Sequence, residues 1–179
     1  MQQGAREPNG RLSRRAADVR DRDYRNAQEA MSVVIAARAR LFGLTDAQAR
    51  TQEGGTVVGR MYHSRELTAD QVEAAFRYID ARNAYHRAIG APSDTGRVPL
   101  PENASAGSYE EFCRAARNRW KGISDVLANV MMTTRSPAPV SALDHFVVRD
   151  VYLEHLVGDL CTALDALHLH FSGSTKGRR

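Results

Sequence analysis

The sequence predicts an all-α protein: a helical bundle with a flexible basic arm at its N-terminus and a short basic tail at its C-terminus. Apolar residues recur at helical spacing through most of the chain, and three sites carry a helix-start pattern. Patterns typical of strands are nearly absent. The chain has 179 residues, of which 42% are hydrophobic and 26% are charged. This length and this composition are typical of an ordinary folded domain with appendages.

A basic arm and a long helix are predicted at the N-terminus. Residues 1–13 contain Gly4, Pro8 and Gly10 and no apolar periodicity, which is typical of an extended, flexible segment. Ser13 can then cap a helix over residues 14–42. The apolar positions of this helix recur close to every 3.6 residues: Val19, Ala27, Met31, Val34, Ile35, Leu41 and Phe42.

Capping boxes predict the starts of three further helices. Each box pairs a Ser or Thr with a Gln or Glu three residues later. The boxes are Thr45 with Gln48, Thr68 with Gln71, and Ser108 with Glu111. We expect the helices that they open to end near residues 54, 89 and 134. An amphipathic segment over 56–67, followed by the helix over 68–89, fits either a helix-turn-helix pair or an αα-hairpin used only for packing.

The last helix is predicted over 150–171 and has the most regular apolar pattern. Its apolar residues follow spacings of 4, 3, 4, 3 and 4, an a/d seam that suits either a coiled coil between copies or packing inside one bundle. The segment 146–148 fits a short extended piece or the first turns of this helix. Under the coiled-coil interpretation, the oligomer interface consists of Leu153, Val157, Leu160, Leu164 and Leu167, in a seam that ends at Phe171.

These elements predict one helical domain over residues 14–172. A linker-like loop with three prolines interrupts it over 91–107, and Pro137 with Pro139 breaks the chain over 135–140. The basic tail covers 173–179. The sequence also lacks a leader-like N-terminus and an apolar run long enough for a membrane span, so we expect a cytoplasmic protein, in a host cell or a virion.

The net charge of +4 resides at the two ends of the chain. Residues 1–40 hold nine arginines against five acidic residues, residues 173–179 hold three basic residues, and residues 41–172 carry a net charge of −3. Basic ends of this kind are typical of proteins that contact polyanions. Nearly all the basic residues are Arg, which favours bidentate phosphate contacts but also follows from a GC-rich genome.

One basic cluster lies inside the predicted domain. Arg114, Arg117 and Lys121 share a helix face because steps of three and four residues bring side chains together, while Arg119 and Trp120 lie beside them. Such a row fits a phosphate backbone, or an ordinary solvated face with Trp120 anchoring the core. The candidate contacts to double-stranded DNA are Arg6, Arg11, Arg14, Arg15, Arg114, Arg117, Lys121, Lys176, Arg178 and Arg179.

No pattern in the sequence predicts catalysis, a metal or a cofactor. The six histidines include no pair four residues apart, and neither Cys113 nor Cys161 lies near a histidine at a spacing typical of zinc sites. The glycines at 54, 55 and 59 lack the Lys-Ser/Thr of a phosphate loop. We therefore predict a protein that is not an enzyme, with two buried free thiols in a reducing compartment.

Three strings resemble small helical proteins encoded in prophages of GC-rich bacteria. They are residues 6–14 (REPNGRLSR), residues 58–71 around VGRMY and LT, and residues 160–171 around ALDAL and HF. The resemblance implies phage-type regulators and packaging accessories that act on DNA. It leaves three hypotheses: a DNA-binding transcriptional regulator, an oligomeric structural or packaging protein similar to a small terminase subunit, and an interaction module that binds no nucleic acid.

Overall fold

The computed structural model describes residues 14–90 and 106–176, and the side chains of residues 19–90 and 109–173. These ranges contain seven α-helices and no strand, so the all-α prediction is confirmed. No described helix is both long and apolar enough to cross a bilayer. The helices are α1 (Arg14–Phe42), α2 (Asp46–Arg50), α3 (Val57–His63), α4 (Ala69–Ala88), α5 (Ala106–Thr134), α6 (Ala138–Leu143) and α7 (Val157–Lys176).

The chain divides into two compact units after Gly55, whereas the sequence predicts one helical domain over residues 14–172. In the first unit α1 packs on α2, and a 3-10 turn follows at Glu53–Gly55. The sequence does not mark this boundary, because a glycine pair such as Gly54-Gly55 also occurs where an ordinary helix ends.

The second unit is a bundle in which α4, α5 and α7 pack pairwise, with α6 against α5 and α7. Each of the three long helices contributes one apolar stripe to a shared core, as ridges-into-grooves packing requires. The largest fully buried side chains of the structure all belong to this unit: Phe146, Met61, Ile123, Leu143, Leu160, Leu164, Leu167 and Pro139.

Two of the three predicted capping boxes are present. The Thr45 and Thr68 side chains accept hydrogen bonds from the backbone of Gln48 and Gln71, and both Gln side chains return the bond. The third predicted helix start is wrong, because α5 begins at Ala106 and Ser108 lies inside its first turn. At the far end of α4, Gly90 has the positive φ of 68° that a glycine C-cap supplies.

The chain between α5 and α7 differs from its predicted course. Pro137 and Pro139 begin the short helix α6 instead of only breaking the chain, since proline suits the first turn of a helix. The segment predicted as extended or as the start of the last helix is a π-helical turn, Asp144–Val148. Asp150 then adopts a positive φ of 55°, so α7 begins at Val157 after a 3-10 turn at Glu154–Leu156.

Candidate nucleic-acid interface

Helix α5 separates its apolar and basic residues onto different faces. Ala116, Ile123 and Leu127 are buried against the bundle, whereas Arg114, Arg117 and Lys121 are exposed. We call these three residues the α5 basic row. Because they are spaced by three and four residues along one regular helix, they line a single strip of its surface. Arg119 is also exposed, but it lies elsewhere on the helix circumference.

Trp120 belongs to the packing between α4 and α5. Its ring stacks on Tyr85 with centroids 5.5 Å apart and an interplanar angle of 16°, and it lies 5.6 Å from Tyr78 at a tilt of 41°. Offset and tilted pairs of this kind are the preferred aromatic arrangements. The single Trp of the chain therefore fixes the orientation of α5, as the alternative interpretation of this cluster expected.

The basic row borders the C-terminal end of α4. Arg117 Nη2 donates a hydrogen bond of 3.4 Å to the Ala88 carbonyl, and carbonyls at the end of a helix carry partial negative charge. A cleft of about 460 Å³ runs beside this contact, lined by Ala88, Tyr109, Glu110, Cys113, Arg114, Arg117 and Asn118. The row is thus anchored at its middle residue and open on one side.

Tertiary packing brings a further cation to this region. The Arg87 guanidinium lies 5.6 Å from the Phe112 ring centroid, which places the last turn of α4 against the first turns of α5. Sequence reasoning missed Arg87 because the acidic residues of α4 balance its arginines. No local spacing relates Arg87 to α5, and only the contact between the two helices could have identified it.

The electrostatic surroundings of the row are mixed. Among the described residues, no carboxylate oxygen lies within 4.0 Å of the cationic nitrogens of Arg114, Arg117 or Lys121. Glu110 nevertheless shares the cleft with the two arginines. At the same cleft a hydrogen bond with the Cys113 thiol raises the pKa of the Tyr109 hydroxyl. Cys113 and Cys161 are both free thiols, but each is only partly buried, so the prediction of buried thiols is wrong.

The structure brings together only three of the ten candidate DNA contacts. Arg6, Arg11, Arg178 and Arg179 lie outside the described residues. Arg14 and Arg15 fall in the first turn of α1, and Lys176 is the last residue of α7, but their side chains lie outside the described part of the chain. The DNA contacts expected of the two basic ends of the chain stay a prediction.

The predicted oligomer interface lies largely in the core of a single chain. Leu160, Leu164 and Leu167 each expose none of their surface, and Phe171 exposes 6%. Leu153 and Val157 are partly buried against the same core, and Leu153 precedes α7 in an extended conformation. Leu160, Leu164 and Leu167 expose no surface with which a second copy could make contact, so the packing of these three residues fits the interpretation of a seam inside one bundle.

Helices α3 and α4 match the packing-only alternative better than a helix-turn-helix. A recognition helix needs one long free face, but α4 packs against both α5 and α7. Its buried residues include Ala74, Ala75 and Tyr78, which share one broad face of the helix because they are three and four residues apart, and that face is turned into the bundle. Helix α3 has only seven residues and buries Val57 and Met61.

No described group of three His, Cys, Asp or Glu side chains is arranged to hold a metal ion. Comparison with protein-family models, with curated proteins and with solved structures finds no match to this chain.

Proposed function

We propose that this protein is a non-enzymatic DNA-binding protein of phage or prophage type, acting as a transcriptional regulator. The α5 basic row contacts the phosphates of double-stranded DNA, and the basic residues of the chain ends add further phosphate contacts. The observation that carries the proposal is the row itself: three exposed cations on one strip of a rigid helix.

Rigidity is what distinguishes the row from scattered surface charge. Successive contacts at steps of three and four residues follow one side of α5, which Trp120 holds in place through its stacking on Tyr85. Cations positioned in this way lose less conformational entropy on binding than cations on loops. Each phosphate that they neutralise releases condensed counterions, which drives association at low salt.

A packaging or virion role remains the alternative proposal. It shares the phosphate contacts and differs in assembly, since a packaging protein forms a closed ring while a regulator is a monomer or a dimer. It also differs in specificity, because a regulator prefers one sequence. The measured mass of the DNA-free protein, together with competition by unrelated duplexes, separates the two roles.

The direct test is duplex binding by fluorescence anisotropy over a salt series. The full chain is compared with the triple variant Arg114→Gln, Arg117→Gln, Lys121→Gln. If all three cations contact phosphates, the slope of log K against log salt should become shallower by about 2.7, at 0.9 per contact. Affinity at low salt should fall equally for specific and unrelated duplexes.

A charge-matched control keeps the test specific. The triple variant Arg65→Gln, Arg119→Gln, Arg135→Gln removes the same net charge from exposed residues of the second unit. We expect it to keep nearly the full salt slope. Equal losses in both triple variants would mean that net charge alone governs binding. A full chain that does not bind at low salt would exclude both nucleic-acid roles and leave an interaction module.

A further inference from the structure

An uncharged amide side chain, Asn118, lies directly beside the α5 basic row. At 3.6 residues per turn it is about 40° around the helix from Arg114 and about 100° from Arg117, so Arg114 lies between the other two. Asn118 is exposed and borders the cleft. In the described part of the chain its amide has no hydrogen-bond partner. Its donors and its acceptor are therefore both available to a ligand.

Neighbouring helices bound this free face of α5 on both sides. On one side Arg117 contacts the end of α4 through the Ala88 carbonyl. On the other side His170 of α7 packs on Gly122, where an added Cβ would meet His170 Cε1 at 3.2 Å. The basic row and Asn118 occupy the strip between these two contacts, and the strip faces solvent.

Acidic side chains limit the same strip along the helix axis. Glu111 and Asp125 are both exposed, and each lies seven residues from Asn118, which is about 10 Å at 1.5 Å per residue. Carboxylates at these positions repel phosphates. The part of α5 that suits a polyanion is therefore about four turns long, and Asn118 is at its middle.

A cation and an amide have different uses on such a surface. Phosphate contacts position a protein on DNA but carry no sequence information, which comes from hydrogen bonds to base edges. The amide of Asn matches the major-groove edge of adenine, where N7 accepts a hydrogen bond and the N6 amino group donates one. The major groove is about 12 Å wide and admits a helix. The combination of a cationic flank and an adjacent amide therefore fits the major groove.

We propose that Asn118 recognises an adenine in the major groove of double-stranded DNA while the α5 basic row contacts the phosphates beside it. The side-chain nitrogen of Asn118 donates to adenine N7, and Oδ1 accepts from the N6 amino group. The proposal rests on the DNA binding proposed above. It adds the groove that α5 enters and one base that the protein selects.

The test begins with selection of duplexes from a random pool by the full-length wild-type chain. Anisotropy then measures the affinity for the selected duplex and for duplexes changed at one base pair at a time. At one A·T pair, a change to G·C should weaken wild-type binding by roughly 5- to 150-fold, the discrimination of one bidentate contact. Asn118→Ala should bind both duplexes equally. Its salt slope should stay that of the wild type, because the amide neutralises no phosphate.

Asn129→Ala is the matched control. Asn129 is also exposed on α5 and lies only about 20° around the helix from Asn118, but it is three turns further along and beyond Asp125. We expect this variant to keep the wild-type preference at every base pair.

Asn118→Asp tests the hydrogen-bond pattern itself. Aspartate has nearly the same size but only accepts, and an acidic side chain pairs with the N4 amino group of cytosine. A fresh selection with this variant should therefore replace the preferred adenine with cytosine at the same position. A purely structural role of Asn118 does not produce such a change.

The outcomes separate base recognition from DNA binding. Loss of preference at one A·T pair in Asn118→Ala, with Asn129→Ala unchanged, supports the proposal. An Asn118→Ala chain that keeps every preference overturns it and leaves DNA binding in place, and so does a uniform loss of affinity for all duplexes. A wild-type chain that binds with a steep salt slope but selects no sequence also overturns base recognition alone. Absence of binding at low salt excludes both proposals.

Discussion

The side-chain amide of Gln71 on α4 donates a hydrogen bond of 2.9 Å to Asp165 Oδ1 on α7. Its side-chain oxygen accepts another of 2.9 Å from the Thr68 backbone amide. Gln71 is only 8% exposed and is the polar side chain that the described core buries. One residue thus completes the N-terminal cap of α4 and ties that helix to α7.

Replacing Gln71 with Glu should destabilise the second unit. The substitution keeps the acceptor of the capping box but removes the donor to Asp165 and opposes two carboxylates in a half-buried site. We expect a loss of about 1–3 kcal/mol in the free energy of unfolding, the usual cost of an unsatisfied buried polar group. Urea denaturation followed by far-ultraviolet circular dichroism, which reports the helices of both units, measures it.

Gln48→Glu is the matched control for that variant. Gln48 completes the same kind of box with Thr45 but makes no bond to another helix. Glu is as suitable as Gln at this position of a capping box, so little change is expected. Similar losses in both variants would show that the box, and not the bond to Asp165, is what Gln71 contributes.

Asp150 should tolerate Asn but not Ala. Its Oδ1 accepts a hydrogen bond of 2.6 Å from the Val57 amide, one of the unpaired donors at the start of α3, and its φ of 55° is left-handed. Asn keeps the acceptor and tolerates this φ, whereas Ala loses about 0.5–2 kcal/mol of capping and adds about 1–2 kcal/mol of backbone strain. Gly should fall between them, because it loses only the cap. Chemical denaturation of the three variants gives the order, and equal stabilities for Gly and Ala would contradict the strain argument.

Truncation to Ala should lower stability strongly at Leu164 and hardly at all at Leu169. Leu164 is fully buried, so Leu164→Ala should cost about 2–5 kcal/mol of unfolding free energy, for lost apolar burial and the cavity left behind. Leu169 lies on the same helix but is 72% exposed, and Leu169→Ala should change stability little. Sedimentation of both variants completes the test. An oligomer that Leu164→Ala dissociates without loss of stability would restore the seam as an interface.

Tyr78 should make the bundle less stable at alkaline pH. Burial raises the pKa of its hydroxyl, with Arg82 opposing the effect and Asp144 adding to it. Because the folded pKa is higher than the unfolded one, this contribution is complete below about pH 10 and is lost as pH rises through the folded-state pKa. Tyr78→Phe should flatten the fall in stability above about pH 10, while Tyr62→Phe, at an exposed site, should not. If the denaturation midpoints of the two variants fall equally steeply with rising pH, the prediction is contradicted.

Local sequence patterns identified most of the helices because capping and periodicity act over a few residues. Thr68 with Gln71 marks the start of α4 to within one residue, and the 3, 4 spacing of Arg114, Arg117 and Lys121 places them on one strip of α5. These features depend on hydrogen bonds and helical geometry inside a single segment. The sequence can therefore specify them without knowledge of the fold.

Helix boundaries that depend on a residue distant in the chain could not be predicted from local patterns. The last helix was expected from Asp150, but the positive φ of that residue ends any helical run there. Its carboxylate instead caps α3, 93 positions away in the chain. Pro137 and Pro139 were interpreted as a break, yet Pro139 is buried in the core as part of α6.

By itself, the sequence determined that this chain is helical, where most helices begin, and which cations share a face. Only the tertiary structure decided which apolar stripe is buried in the core and which stays exposed. The regular seam of Leu160, Leu164 and Leu167 is buried by α4, α5 and α6, whereas the weaker stripe of Tyr24 and Met31 stays exposed. Periodicity shows that a helix has an apolar face, but whether that face meets its own chain or another depends on long-range packing that no local pattern contains.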